Sequence, residues 1–276
     1  MNSSNIGDLL IKEGKITRAD VERIIQLQKQ YGMRFGDAAK ASELVTDEDI
    51  QLALSRQFDF AFISDKDSNL SPELIAAYQP FSQQAEVLRT IRSQLMLRWF
   101  HHEKKTLAVV SANEKEGRSY LAANLAIVFA QLGERTLLID GNLRQPRQHE
   151  LFQIKNSRGL SDLLINRADI ESTIKVIPEL PNLSVLVAGA VPPNPLEIIS
   201  RGLNACLTKL MSNYGVILLD TPSVSKGSDV QLLARSAGGA LLLARQHETR
   251  LADMEAMKTF LEKSGVVCVG AIISDF

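Results

Sequence analysis

The sequence predicts a doubly wound α/β domain, with a mainly parallel sheet and a phosphate-binding loop, preceded by a small N-terminal helical domain. Three observations carry that prediction. Six short runs rich in Val, Ile and Leu alternate with longer helical patterns from residue 106 onward. Between the first run and its helix lies "SANEKEGRSYLAANLA" (111–126), which reads as a loop entering a helix N-terminus. Upstream, residues 5–28 and 34–57 repeat one another at an offset of 29 residues.

The repeat comes first in the chain. "NIGDLLIKEGKITRADVERIIQLQ" and "RFGDAAKASELVTDEDIQLALSRQ" both place Gly-Asp at their third and fourth positions (Gly7-Asp8, Gly36-Asp37) and Thr at the thirteenth (Thr17, Thr46). Each Thr precedes apolar residues spaced three and four apart, which suits an N-cap, because the side-chain oxygen takes up a free backbone N–H. Two helix-turn-helix units packed face to face are expected over residues 1–60. Residues 61–80, with their aromatic, Asp-Lys-Asp-Ser and proline content, read as a linker around one short helix.

From residue 81 the second domain begins. The runs "TLAVVS" (106–111), "TLLID" (136–140), "LSVLVA" (183–188), "GVILLD" (215–220), "GALLLA" (239–244) and "VVCVGAII" (266–273) lack polar alternation. Strands of that kind are buried on both faces, as in a parallel sheet between helix layers. Ligands of such sheets bind at the carboxyl ends of the strands. Against the phosphate-loop template G-x-x-x-x-G-K-[ST], this chain has Ala112, Asn113, Glu114, Lys115, Glu116, Gly117, Arg118 and Ser119, followed by Tyr120. Gly117 permits close approach, Ser119 offers a hydroxyl to Mg²⁺, and Arg118 stands where Lys reaches the β- and γ-phosphates. Asp140 and Asp220 end two further strands, which brings two hard oxygen ligands to the same edge.

Composition narrows the function classes. Apolar residues make up 45% and charged residues 23% of 276, with a net charge of −1. That balance gives no reason to expect nucleic acid as a partner. No basic segment leads into an apolar run at the N-terminus, and the longest apolar stretches are too short to span a bilayer. Cys206 and Cys268 have no metal-ligand or redox spacing and read as buried thiols.

On these motifs, residues 80–276 resemble the bacterial tyrosine kinases that control polysaccharide chain length. The first family motif, S-x-x-P-G-E-G-K-S-T, aligns with Ser111–Tyr120; the second, L-L-I-D-x-D-x-R-x-P, with "LLIDGNLRQP"; and the third with "ILLDTP". "GLSDLL" (159–164) and "PPNPLEII" (192–199) also look like family segments, and the branch associated with exosortase-type loci is the most similar. The resemblance implies ATP and Mg²⁺ as cofactors, with Asp140 assisting an acceptor hydroxyl, Arg118 on the phosphates, and Ser119, Asp220 and Asp140 as metal ligands. Nucleotide contacts are implied at Ala112, Lys115, Glu116, Gly117, Arg118, Ser119 and Tyr120. "EVLRTIR" (86–92) matches the family's E-x-x-R-x-x-R segment, which implies a homo-oligomer joined through Glu86, Arg89 and Arg92. It also implies an inner-membrane polysaccharide co-polymerase as partner and a cytoplasmic, membrane-peripheral location.

Departures from the pattern keep a second reading open. Glu114 and Lys115 replace a proline and a glycine, and Asn142 replaces the second acid of its motif. A catalytically impaired adaptor in the same assembly is the alternative. A cell-division type partitioning ATPase is third, because its extra signature lysine would fall at Asn113. No tyrosine cluster follows the last apolar run, so phosphorylation of a tail is not expected. The N-terminal repeat resembles the first domain of type II secretion and pilus-assembly ATPases. Some members of that family bind cyclic di-GMP, which would implicate Arg34, Gly36 and Asp37. A helical protein-interaction domain is the other reading.

Overall fold

The computed structural model describes residues 5–57, 63 and 68–275, so most of the expected linker, residues 58–62 and 64–67, lies outside the described residues. The chain divides into two compact units, residues 1–67 and 68–276.

In the first unit, helices α1 (Ile6–Lys12), α2 (Arg18–Tyr31), α3 (Phe35–Ala41) and α4 (Asp47–Gln57) form the two expected helical pairs. The caps follow the sequence. Thr17 Oγ1 accepts from the Asp20 amide while the Asp20 carboxylate accepts from the Thr17 amide at 2.8 Å. Thr46 and Asp49 repeat that exchange at 3.2 and 2.9 Å. Each cap of this kind is worth about 1 kcal/mol. The core is built from matched positions of the two copies: Leu10 with Ala39, Ile16 with Val45, and Ile24 with Ala53, all buried. The copies differ where the helices of each pair join. Gly14 and Glu43 occupy the same left-handed turn, with φ of 70° and 58°. Only glycine takes that conformation at no steric cost.

The second unit starts earlier than expected. Residues 68–80 are not a bare linker, because helix α5 (Ile75–Tyr78) is pinned to helix α7 (Arg118–Gln131). Asn124, fully buried on α7, accepts from the Ala76 amide at 2.9 Å and donates to Glu73 O at 3.0 Å, and Gln131 donates to Ala76 O at 2.8 Å. Apolar composition hid this, since a helix as uniformly apolar as α7 must be covered on every side. Helix α6 (Gln83–Arg98) also packs on α7.

Seven strands form one sheet in the order β3-β4-β2-β5-β1-β6-β7. They are β1 (Thr106–Ser111), β2 (Thr136–Asp140), β3 (Lys175–Ile177), β4 (Leu180–Leu186), β5 (Val216–Asp220), β6 (Gly239–Arg245) and β7 (Val267–Ser274). All neighbours are parallel except β3 and β4, and β3, a three-residue edge strand, had no counterpart among the apolar runs. The expected third strand lies three residues earlier at its start, because β4 begins at Leu180. Alternate strand residues, among them Ala108, Val110, Leu137, Ile139, Ile217 and Leu219, join a core with helices α9 (Leu160–Leu164), α11 (Pro195–Met211), α12 (Asp229–Ala237) and α13 (Leu251–Glu262). Short helices α8 (Gln148–Leu151) and α10 (Ile170–Thr173) complete the unit. Among the described residues, no helix is long and apolar enough to cross a membrane.

Candidate nucleotide site

β2, β5 and β1 lie side by side, so the loop after β1 and the acidic ends of β2 and β5 meet at one sheet edge. Residues 112–117 leave β1 and enter α7 at Gly117, whose φ of 88° turns the chain so that the helix amides begin at Arg118. Lys115 is left-handed at φ 60°, a position that costs a side-chain-bearing residue about 1–2 kcal/mol. Its carbonyl accepts from Arg245 at 3.3 Å. The Glu116 carboxylate, 2% exposed, accepts from the Asn113 amide at 2.8 Å and from the Thr249 hydroxyl. The side chain of Glu116 therefore braces the loop, and any nucleotide contact falls to its backbone.

Arg118 departs from expectation. Its guanidinium is drawn under the loop, where it donates to Ser111 Oγ, to Asn113 O at 2.6 Å and to Thr221 O at 3.0 Å. Burial lowers its pKa, while Asp220, Glu116 and Glu114 hold the proton on. The fork of an arginine spans three acceptors where an ammonium would sit as a point charge, which explains why this side chain stays home. Tyr120 is half-buried, and burial raises its pKa, with the Glu73 carboxylate adding to the effect.

The acidic side differs. Asp140 and Asp220 are paired in register across β2 and β5, and both are fully buried. Asp140 is wrapped by the following loop and accepts from the amides of Asn142 (3.2 Å), Arg147 (2.9 Å) and Gln148 (2.9 Å). These three bonds tie residues 141–148 to the Asp140 carboxylate. At Gly141 an added Cβ would lie 2.7 Å from Asp220 O, so only glycine fits between the two strand ends. Burial first, and then the Asp220 charge, push Asp140 up to about 8 despite its three N–H donors. Asp220 is raised by burial too, against hydrogen bonds from Ser119 and Gln148 and the charge of Arg118.

One oxygen is left over. Asp220 Oδ2 accepts from Gln148 Nε2 at 2.8 Å, whereas Asp220 Oδ1 is buried without a hydrogen-bond partner, as is Gln148 Oε1. A buried carboxylate oxygen without a donor is costly. It sits on the same side chain that the Ser119 hydroxyl meets. Serine and aspartate oxygens fit Mg²⁺, which takes one or two protein ligands and fills its octahedron with water and phosphate oxygens. Among the described residues no group of three His, Cys, Asp or Glu could hold a metal by itself. Asn142 is not turned to this point: its side chain closes the turn 142–145 through Gln145 N and O at 3.2 and 2.8 Å.

Outside the sheet edge, a cavity of 260 Å³ is lined by Glu114, Arg118, Asn142, Arg144, Gln145, Pro222, Ser223 and Lys226. Arg144 is locked on buried Asp229 through contacts of 2.6 and 3.2 Å. Lys226 ends a 3₁₀ turn, Val224–Lys226, and meets Glu114 at 3.1 Å. Sequence reading had missed Lys226 and Gln148. Gln148 is a buried amide eight residues beyond a motif acid, and no spacing rule marks it.

The remaining candidates are dispersed. Arg89 pairs with Glu86 at 2.6 Å and donates to Pro80 O, while Arg92 is half-buried and donates to Val128 O at 2.8 Å. All three expected subunit contacts therefore have partners within the unit, and Glu86 is the most exposed of them. In the first unit Arg34 is exposed at the start of α3, Asp37 pairs with Lys40 at 3.7 Å, and Gly36 leaves room for Ile50.

A phosphate loop, a helix N-terminus and two acidic strand ends on a mainly parallel sheet define a nucleotide-binding α/β domain of the phosphate-loop class. No protein-family model matches the chain. It is 36% identical over 210 residues to "Putative tyrosine-protein kinase CapB" of Staphylococcus aureus, covering 76% of this chain and 91% of that protein. It is 32% identical over 215 residues to the tyrosine-protein kinase YwqD of Bacillus subtilis, covering 78% and 90%. The structure of the chimerical protein CapA2B2 superposes with a TM-score of 0.69 at 30% identity, covering 83% of this chain and 98% of that one. The chain belongs to the family of bacterial tyrosine-protein kinases.

Proposed function

We propose that the chain is an ATP-dependent protein tyrosine kinase that regulates polymerisation, chain length and export of an extracellular polysaccharide. The observation that carries this reading is the partnerless Asp220 Oδ1, on the carboxylate that the Ser119 hydroxyl meets, with Asp140 alongside. Ser119 and Asp220 would hold Mg²⁺, and the ion would supply charge neutralisation for the phosphate oxygens. The amides that open α7 receive the polyphosphate, and Asp140 holds the loop that carries Asn142 and Gln148. A tyrosine oxygen bonds to the terminal phosphorus as the bond to the bridging oxygen breaks, ADP leaves, and the phenolic proton passes to solvent. Such transfer needs positioning and charge neutralisation more than covalent help.

A partner at the inner membrane, the co-polymerase type of protein, completes the site in this reading, and the chain works as a cytoplasmic, peripheral homo-oligomer. Exposed Glu86 is the contact that supports oligomerisation, and exposed Arg34 supports cyclic di-GMP as a ligand of the first unit. The competing reading, an impaired adaptor, is favoured by Arg118, whose donors are spent on the loop itself. Melting of the full chain with millimolar MgATP, followed by ATP turnover with and without the partner's cytoplasmic segment, separates the two. A nucleotide-dependent rise that Ser119→Ala diminishes is expected by mass action. No rise in either setting eliminates the kinase.

A further inference from the structure

Three cations line the 260 Å³ cavity beside the loop, and they are not equally free. Arg118 is 9% exposed, with donors committed to Ser111, Asn113 and Thr221. Arg144 is committed to Asp229 by two charge-assisted hydrogen bonds, and the Asp229 side chain is only 3% exposed. Lys226 pairs with Glu114 at 3.1 Å, and the two side chains are 44% and 38% exposed. Exposed pairs of that kind contribute little and exchange readily, whereas Arg144, itself 41% exposed, is held by a two-point contact to a buried carboxylate. The 3₁₀ turn that carries Lys226 is tied to the phosphate loop, because the Ser225 amide donates to Ala112 O at 3.1 Å. Lys226 is thereby held beside the loop, with its ammonium retained by an exposed partner.

Building on the nucleotide reading above, we propose that Lys226 binds the terminal phosphate of the nucleoside triphosphate, exchanging Glu114 for phosphate oxygens. Its charge takes the place of the cation that the loop keeps for its own carbonyls. Glu114 then works as a competitor: its carboxylate occupies Lys226 until a more highly charged anion arrives. The same exchange makes the site sensitive to the difference between a triphosphate and a diphosphate, because the contact is to the phosphate that ADP lacks.

Calorimetric titration of the full chain with MgADP and with the non-hydrolysable imido analogue of MgATP tests this. Lys226→Gln should weaken the analogue by about tenfold or more, the worth of one charge-assisted hydrogen bond, while ADP binding stays unchanged. Lys226→Arg should restore most of the loss, and Glu114→Gln should tighten the analogue only when Lys226 is present. Equal weakening of both ligands, or no change in either, overturns the proposal while the nucleotide reading stands. Failure of the wild-type chain to bind either nucleotide brings down both.

Discussion

The phosphate loop and the acidic floor beneath it face each other across one sheet edge and have opposite hydrogen-bond economies. The loop is closed upon itself: Arg118 binds its carbonyls, and Glu116 ties Asn113 to Thr249. The floor is open, with two carboxyl groups buried side by side and an oxygen without a donor. A loop that satisfies its own groups holds its shape without ligand, whereas a floor of two crowded acids is stabilised when a cation arrives in place of their shared proton. Rigidity and affinity are thus supplied from different sides of the cleft.

The largest expected effect comes from removing the open side. Asp220→Ala should lower ATP turnover by about 10²–10³-fold, the cost of losing a preorganised charge contact at a transferring group, and Ser119→Ala by less. Turnover that survives Asp220→Ala would erase the contrast, because the floor would then have no part in the chemistry. A second effect concerns pH. Asp140 is raised from 3.8 to about 8, so the folded chain keeps a proton that the unfolded chain has lost between those values. The contribution of this group to stability is therefore fully present below pH 4 and is lost as pH rises through 8. Metal-free melting temperature should drop across that window, and Asp220→Asn should flatten the slope. A wild-type curve that is level from pH 5 to 8 contradicts the buried charge pair.

The closed side predicts smaller changes. Arg118→Lys gives up the fork that spans Ser111, Asn113 and Thr221, and should lower the melting temperature by about 2–6 °C, as expected for one or two lost hydrogen bonds. It should also tighten nucleotide, since the shorter-branched cation is free to turn outward. An unchanged melting temperature would show that Arg118 does not hold the loop. Smallest is Lys115→Gly, which relieves the left-handed backbone and should stabilise by up to about 1 kcal/mol. Glu43→Gly in the first unit should give a similar gain, read by urea denaturation.

Much of this was legible in the sequence. Strand runs ending in Asp140 and Asp220 required only burial and a parallel sheet to bring the acids together, and Thr17 and Thr46 announced their helices through local capping chemistry. What was not legible depends on side chains whose partners are distant in sequence. Arg118 read as a phosphate ligand because the template places a cation there; its reach to Thr221 follows from β5 lying beside β1. Gln148, Lys226 and Asn124 belong to no motif, and each acquires its role from a neighbour 72, 112 and 48 residues away, respectively. The short antiparallel β3, with two of three residues exposed, lacked the apolar run that marks the others.

Asn124 decides where the second unit can be cut. A protein trimmed to start at residue 81 would leave the Asn124 amide with only its bond to Tyr120 O, strip Gln131 of Ala76 and Arg147 of Glu73, and uncover the back of α7. Each orphaned buried group costs about 1–3 kcal/mol, enough to turn a domain into an insoluble fragment. Trimming instead at residue 68 leaves those partners attached, so expression of the shorter and longer fragments should differ by their solubility long before their enzymology is compared.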